Sequence, residues 1–397
     1  MSEPTLPLNG VRVLDVGTRI AAPFCAGILA EQGAEVIKIE QPGTGDFLRS
    51  LGPFHDGYSL FWAVEGRSRK SVTLDLRQPQ GQALFRSLAG TVDIVCENFR
   101  PGTMERWSIG PADLDPRLVM VRISAYGQDG PNAELPGQDL LGISFGGLLN
   151  LCGEADRPPV KPTITLSDHL TAIFAAQAAV ALLYARDRDE GGTGGVVDAS
   201  LYGAVLRVLE WTIPHHERTG GTRTREGNTV ATAAPLGVFE SGDERFVSVV
   251  AASDPHFRLL CSLLEMPGVL ADPRFSTARA RAENRDLANG FLAEWVARRS
   301  AATAVDELRA AGVPSALVQT ADDIVADPHI RARGDLVAVD DPVLGSLLQQ
   351  APYPRLNGTT PLPTGAPLLG AHNTEVYCDL LGLTEREVDD LTCRGII

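Results

Sequence analysis

Apolar residues along this chain fall into short blocks of two kinds. VRVLDV (11–16) is an almost continuous apolar run. The next block, Pro23–Gln32, spaces its apolar residues at helical intervals and stops at Gly33. AEVIKIE (34–40) is again continuous. Continuous runs bounded by turn residues predict buried strands, and the 3.6-residue spacing predicts a helix. A right-handed crossover makes the two strands parallel neighbours. The alternation goes on: KSVTLDL reads as a strand, GQALFRSLAG as a helix, and VDIVCEN and LVMVRISAY as strands. Strands this apolar are buried on both faces, as in a parallel sheet covered by helices.

A long helix is predicted from about Asp168 to Arg186. Its apolar stretch, AIFAAQAAVALLYA, is interrupted by Gln177 and is shorter than the roughly 18 residues of a membrane span. It reads as a buried helix. RDRDEGGTGG ends it as a surface loop, and VVDASLYGAVLRVLEWTI reads as a strand leading into a helix. HHERTGGTRTREGN, polar and glycine-rich, is the best linker. Beyond it RFVSVVAA reads as a strand. Helices then start at the capping boxes Thr303-x-x-Asp306 and Thr384-x-x-Glu387. At 397 residues the chain exceeds one simple core, so two domains are expected.

Composition narrows the partners. A net charge of −15 disfavours nucleic acid or an anionic membrane, both of which need a cationic face. A phosphate-bearing ligand would enter against this field and would need locally placed arginines. The six cysteines are scattered without a C-x-x-C pair, and the seven histidines show no metal-ligand spacing. Neither a disulfide framework nor a metal site is expected. The start, MSEPTLPLNG, has no charged n-region or apolar h-region, so a cytoplasmic location is expected.

Three features could carry chemistry. Glu40 ends the second strand, where a ribose-binding acid would sit, but the first turn reads GTRIAAP and lacks the glycines that cradle a pyrophosphate. Gly142-Ile143-Ser144-Phe145-Gly146 matches G-x-S-x-G, yet its flanks fit no strand–turn–helix elbow. Small residues packing a helix against a neighbour explain it better. Asp168 stands at the start of the long helix. As an N-cap it would accept a backbone N–H and need no further role. A helix N-terminus also favours an ionised carboxylate, which can attack an acyl carbon. The pattern leaves both readings open, and it leaves His169 a possible bystander.

The ordered set of short strings resembles the family III CoA-transferases, the group of carnitine and bile-acid CoA-transferases and formyl-CoA:oxalate CoA-transferase. LNGVRVLDV, AAPFCAGILAEQGAEVIKIEQPGTGD, RKSVTLDLR, ENFRPGTMERWSIG, SAYGQDGP and GGVVDASLYGAV follow in order, then DPRFSTARARAENR, AAGVPSALVQTADDIVADPHIRAR and APLLGAHNTEV. The resemblance implies an α/β fold. A Rossmann-like large domain would span residues 1–227 and 330–397, with a smaller α+β domain at 228–329, in an interlocked homodimer. It implies that Asp168 is the nucleophile, passing through a mixed anhydride and an enzyme–CoA thioester between an acyl-CoA donor and a carboxylic-acid acceptor. Coenzyme A enters as substrate, with no permanently bound cofactor and no metal.

The CoA contacts implied by matching positions are Ala21, Gln41, Leu74, Asp75, Leu76, Arg77, Asn98, Phe99, Arg100, Arg106 and Asp139. Gln41 replaces an arginine of the formyl-CoA enzyme, and Arg77 replaces a lysine. α-Methylacyl-CoA racemases resemble the same pattern but place a histidine in a G-H-D string. Here the string is Gly137-Gln138-Asp139, and glutamine cannot accept the second proton that two-base racemisation needs. The stretch GNTVATAAPLGVFES lacks the glycine run of the oxalate enzyme, so oxalate is not the expected acceptor. Racemisation and non-catalytic CoA binding stay open as alternatives.

Overall fold

The computed structural model describes residues 6–358 and 361–397. By internal contacts the chain divides into two units. The larger comprises Met1–Leu148, Pro162–Ile213 and Ile330–Ile397, and the smaller comprises Leu149–Lys161 and Pro214–His329. The smaller unit thus begins at Pro214, not at 228, and takes in an excursion at Leu149–Lys161.

Six parallel strands form the larger unit's sheet: β1 (Arg12–Asp15), β2 (Glu35–Glu40), β3 (Lys70–Thr73), β4 (Ile94–Glu97), β5 (Val119–Ser124) and β6 (Gly195–Ser200). They lie in the order β3-β2-β1-β4-β5-β6, every neighbouring pair parallel. This is the doubly wound, Rossmann-like arrangement. Period-two alternation divides the four central strands between two cores. Val13, Val36, Ile94, Val119 and Val121 join one cluster, and Leu14, Ile37, Val95 and Met120 join the other.

The first cluster is covered by α1 (Ala21–Glu31) and by the long helix α3 (Leu166–Arg188), through Ala21, Ala22, Ala26, Ala172, Ala175, Ala176 and Ala179. With alanines on both sides the two helices sit close together over the sheet. The second cluster is covered by Pro79–Ala89 and by the C-terminal helices Asn373–Leu381 and Glu385–Cys393, through Phe85, Tyr377, Val388 and Leu391. The C-terminal segment is therefore core and not an appendage. Tyr377 donates its hydroxyl to the Thr73 carbonyl at 2.8 Å, and the Asp75 N–H donates to the Ile396 carbonyl at 2.8 Å.

The smaller unit carries a three-stranded antiparallel sheet, β7 (Leu236–Glu240), β8 (Phe246–Val250) and β9 (Ser315–Leu317), with β8 in the centre. Helices including Asp254–Leu263, Arg285–Val296 and Ala301–Ala310 pack on it through Leu260, Leu292, Val296 and Leu308.

Four local expectations are corrected. The long helix is buried along one face only: Ile173, Phe174 and Tyr184 are exposed, Tyr184 by 62%. Alanine spacing gives it an inner face, and the larger side chains stand on the outer one. His215–Thr219 belong to a helix, Thr212–Thr219, and not to a linker; the break falls at Gly220, where φ is +69°. The helix assigned to Thr303 starts at Ala301, because the Ser300 hydroxyl accepts from the Thr303 N–H and takes the capping place. Asp168 is not an N-cap. Helix α3 begins at Leu166 behind Thr165, which places Asp168 inside the first turn. The box at Thr384 forms in full, with Glu387 accepting from the Thr384 N–H at 2.8 Å.

Candidate active site

Sheet order locates the site. The strand order reverses between β1 and β4, so the loops leaving their carboxyl ends diverge and open a crevice. The turn after β1, Gly17–Ile20, meets the turn after β4 at Asn98. The Asn98 side chain accepts from the Thr18 N–H and donates to the Thr18 carbonyl, both at 2.8 Å. Gly17 leaves no space for a side chain here, since a Cβ would lie 2.6 Å from the Ala22 Cβ.

A buried charge network fixes the β1 turn from below. Asp15 accepts from the Gly17 N–H at 3.0 Å, and Asp46 accepts from the Arg19 N–H at 3.1 Å. Lys38, fully buried, donates to the Gly17 carbonyl and lies 3.0 Å from Asp46 and 3.4 Å from Asp15. Arg69 completes the set at 3.1 Å from Asp15. Burial opposes the Lys38 charge, but Asp15 and Asp46 outweigh it and raise its pKa. Such charges are tolerated inside only because each has its counter-ion and hydrogen bonds.

Above the turn lies a cavity of about 450 Å³ lined by Arg19, Ala21, Asn98, Gln138, Asp139 and Asp168, among others. Two helix N-termini converge on it, those of α2 (Asp139–Phe145) and α3. The carboxylate that caps α3 is Asp139, twenty-eight positions earlier: its Oδ1 accepts from the Ser167 N–H at 2.7 Å and lies 3.0 Å from the Ser167 hydroxyl. Its Oδ2 is buried without a partner. With the cap supplied by Asp139, Asp168 has no capping work to do.

Among the described residues no donor or cation is hydrogen-bonded to the Asp168 carboxylate. Burial pushes its pKa up to about 7, reinforced by the Asp139 charge and opposed by His169 and Arg19. Burial thus works against the ionised form that a helix N-terminus favours. A carboxyl titrating near neutrality, unpartnered and facing a cavity, is more basic than an ordinary aspartate and free to attack. His169 faces elsewhere. Its Nδ1 lies 2.7 Å from the Thr165 carbonyl and its Nε2 3.8 Å from Glu65, in a groove that does not include Asp168.

An adjoining cavity of about 510 Å³ shares Asn98, Ser124, Ala125, Gly137 and Gln138 with the first and adds Phe99, Arg100 and Leu141. The Phe99 N–H donates to Glu97 at 2.7 Å, which sets the turn presenting Asn98 and Arg100. Glu97 is held in turn by Arg122 at 2.8 Å, and its burial pushes its pKa up to about 6.

The sequence-derived positions thus separate into two groups. Ala21, Asn98, Phe99, Arg100, Asp139 and Asp168 line the paired cavities. Gln41, Leu74, Asp75, Leu76, Arg77 and Arg106 do not; they follow the carboxyl ends of β2, β3 and β4 along the same sheet edge. Leu74 and Leu76 bury their side chains in the core, so only their backbone is available to a ligand. Asp75 holds Arg77 at 2.9 Å, and Arg106 donates to the Thr103 hydroxyl at 2.8 Å and is exposed. Arg19, Thr18, Phe47 and Gln138 also line the Asp168 cavity. Of these, the sequence reading singled out only Gln138 and missed Thr18, Arg19 and Phe47; a charged residue in the tight turn after β1 was the available signal for Arg19.

The G-x-S-x-G string is a packing device. A Cβ on Gly142 would lie 2.7 Å from Leu201 and from the Ser167 hydroxyl, and one on Gly146 would lie 2.6 Å from Val205. Ser144 donates its hydroxyl to the Leu140 carbonyl at 2.7 Å. Among the described residues no group of three or more His, Cys, Asp or Glu side chains is gathered as for a metal ion.

Comparison with known proteins agrees with this geometry. Residues 8–373 match the family described as CoA-transferase family III. The chain is 40% identical, over 99% of both proteins, to the succinyl-CoA–D-citramalate CoA-transferase of Chloroflexus aurantiacus. It is 34% identical to the succinyl-CoA:mesaconate CoA-transferase of Haloarcula hispanica, over 93% of this chain and 95% of that one. Among solved structures, a CAIB/BAIF family protein from Brucella suis superposes with a TM-score of 0.82 at 28% identity, covering 95% of this chain and all of that one. Rv3272 from Mycobacterium tuberculosis gives 0.81 at 28% identity, covering 94% of this chain and 99% of that one. The chain belongs to CoA-transferase family III, and is an acyl-CoA:carboxylate CoA-transferase.

Proposed function

We propose that this enzyme moves CoA from succinyl-CoA to a carboxylic acid by covalent relay on Asp168. The observation that carries the relay is an unpartnered, half-buried carboxyl titrating near 7 in a cavity at the sheet's switch point. The relatives named for succinyl-CoA support the donor.

The Asp168 carboxylate attacks the donor thioester carbon and expels CoA thiolate, leaving a mixed anhydride. The thiolate attacks the aspartyl carbonyl, which releases the donor acid and leaves CoA on Asp168 as a thioester. The acceptor carboxylate attacks that thioester, forming a second anhydride and freeing the thiolate again. The thiolate then attacks the acceptor's acyl carbon, giving the new CoA thioester and restoring Asp168. Each step exchanges one acyl bond for another, so activation is never lost to water. Arg100 beside the cavity, and Arg77 and Arg106 along the same edge, supply the cations for the CoA phosphates, with Gln41 a neutral contact. The enzyme works in the cytoplasm as an interlocked homodimer; the exposed apolar residues Ile173, Phe174 and Tyr184 on α3 are consistent with a partner chain there.

Racemisation is the competing chemistry for this fold, and Gln138 lines the cavity where the racemases carry histidine. Incubation with succinyl-CoA and a panel of acids in deuterated water separates the two. Transfer gives a new thioester by mass spectrometry, while racemisation gives α-deuteration without an acceptor. Asp168→Asn should reduce transfer by more than about 1,000-fold and leave CoA affinity within a few-fold. Retained turnover in that variant would contradict the relay.

A further inference from the structure

Arg19 is the one described cation lining the Asp168 cavity, and it has no ion pair or side-chain hydrogen bond among the described residues. We infer that Arg19 makes the enzyme selective for dicarboxylic acids: its guanidinium receives the far carboxylate of an acid whose near carboxyl reacts at Asp168. The inference rests on the transferase reading above and names the acid class and the residue that selects it.

Three independent features of the residue support this. Its backbone is held in an unusual conformation, with φ +65° on a side chain that is neither glycine nor asparagine. A left-handed backbone is disfavoured for an ordinary residue, and such strain survives only where the surroundings enforce it. Here the enforcement is explicit. Asp46 holds the Arg19 N–H, Asn98 grips Thr18 on both sides, and Asp15 and Lys38 hold Gly17. The buried charges therefore fix where the Arg19 side chain leaves the backbone.

The side chain is braced but unpaired. Its guanidinium carbon lies 4.5 Å above the Phe47 ring, itself 46% exposed. Stacking of this kind orients a guanidinium while leaving its N–H edge free for a planar anion.

The charge balance of the cavity completes the case. Its other charged lining residues are Asp139 and Asp168, and the Asp168 carboxyl senses the Arg19 charge. A monocarboxylate presents its only charge at the reacting end and leaves the guanidinium unused. A dicarboxylate brings a second planar carboxylate, the geometry that arginine binds bidentately. Donor and acceptor acids occupy Asp168 in turn during the relay, so one guanidinium serves both, and succinyl as donor carries the required far carboxylate.

The test compares glutarate with pentanoate, acids of equal chain length, as acceptors from succinyl-CoA. In a relay of this kind kcat/KM for the acceptor is independent of the donor half-reaction. The variants are Arg19→Asn, since asparagine tolerates a left-handed backbone, and Arg19→Lys, which keeps the charge. The wild type should prefer glutarate strongly. In Arg19→Asn the glutarate-to-pentanoate ratio of kcat/KM should fall roughly 10–100-fold, mainly through KM for glutarate, with partial recovery in Arg19→Lys. An unchanged ratio, an equal loss on both acids, or a loss confined to CoA affinity would overturn the assignment and leave the transferase reading standing. A wild type that transfers CoA to neither these acids nor any other in the panel would overturn both.

Discussion

At the residue scale the proposed relay turns on how one carboxyl is kept out of water. Asp168 has its pKa pushed up to about 7 by burial, with Asp139 adding to the effect. In the proposed relay only its ionised form attacks, so the first half-reaction should accelerate as pH rises through about 7 and level off above it. Stopped-flow release of CoA from succinyl-CoA across this range reads the profile. The same shift has a cost for the fold. A carboxyl whose folded pKa exceeds its unfolded value of 3.8 leaves stability intact below the lower value and removes it progressively up to the higher one. Asp168→Asn, which cannot ionise, should therefore melt at the same temperature as the wild type near pH 3.5 and above it at pH 8. Asp139→Asn separates the neighbour's contribution. Its amide oxygen still accepts from the Ser167 N–H, but the negative charge is gone. The Asp168 pKa should fall, and the acidic limb of the rate profile should move to lower pH.

At the scale of elements, the site exists because helices and turns are held by partners far away in the chain. The strands were legible in the sequence because buried parallel strands are continuous apolar runs. Asp168 was legible as an acid at the start of a long helix. Its freedom from capping was not, because the cap is Asp139, across an intervening loop. Arg19 was not legible for the same kind of reason: its position is set by Lys38, Asp46 and Asn98, from three other segments. The glycines of the G-x-S-x-G string look like a nucleophile elbow on paper, and only the spacing of α2 from Leu201 and Val205 shows them to be contacts. Lys38→Met tests the buried support. It leaves Asp15 and Asp46 with less compensation, and loss of one partner from a buried ion pair costs about 3–5 kcal/mol. Denaturant titration should show a loss of that order, with Gly17–Ile20 the first segment to lose amide protection.

At the scale of the molecule, an enzyme of net charge −15 has to bind an anionic substrate. Attraction at long range does not help, so in the proposed reading binding depends on a few arginines along the carboxyl edge of the sheet. Arg106→Ala should weaken CoA binding about 10-fold and change the chemical step less, as read by calorimetry against single-turnover rates. Both cavities at the candidate site lie in the Rossmann-like unit, as does every charged group invoked in the proposed relay. The covalent relay through Asp168 is the central claim. Borohydride reduction of enzyme incubated with succinyl-CoA, followed by peptide mapping, tests it most directly. The account predicts that the aspartyl thioester is reduced, converting Asp168, and no other carboxylate, to homoserine. Transfer proceeding with Asp168 unmodified, or with the mark on Asp139, would contradict it.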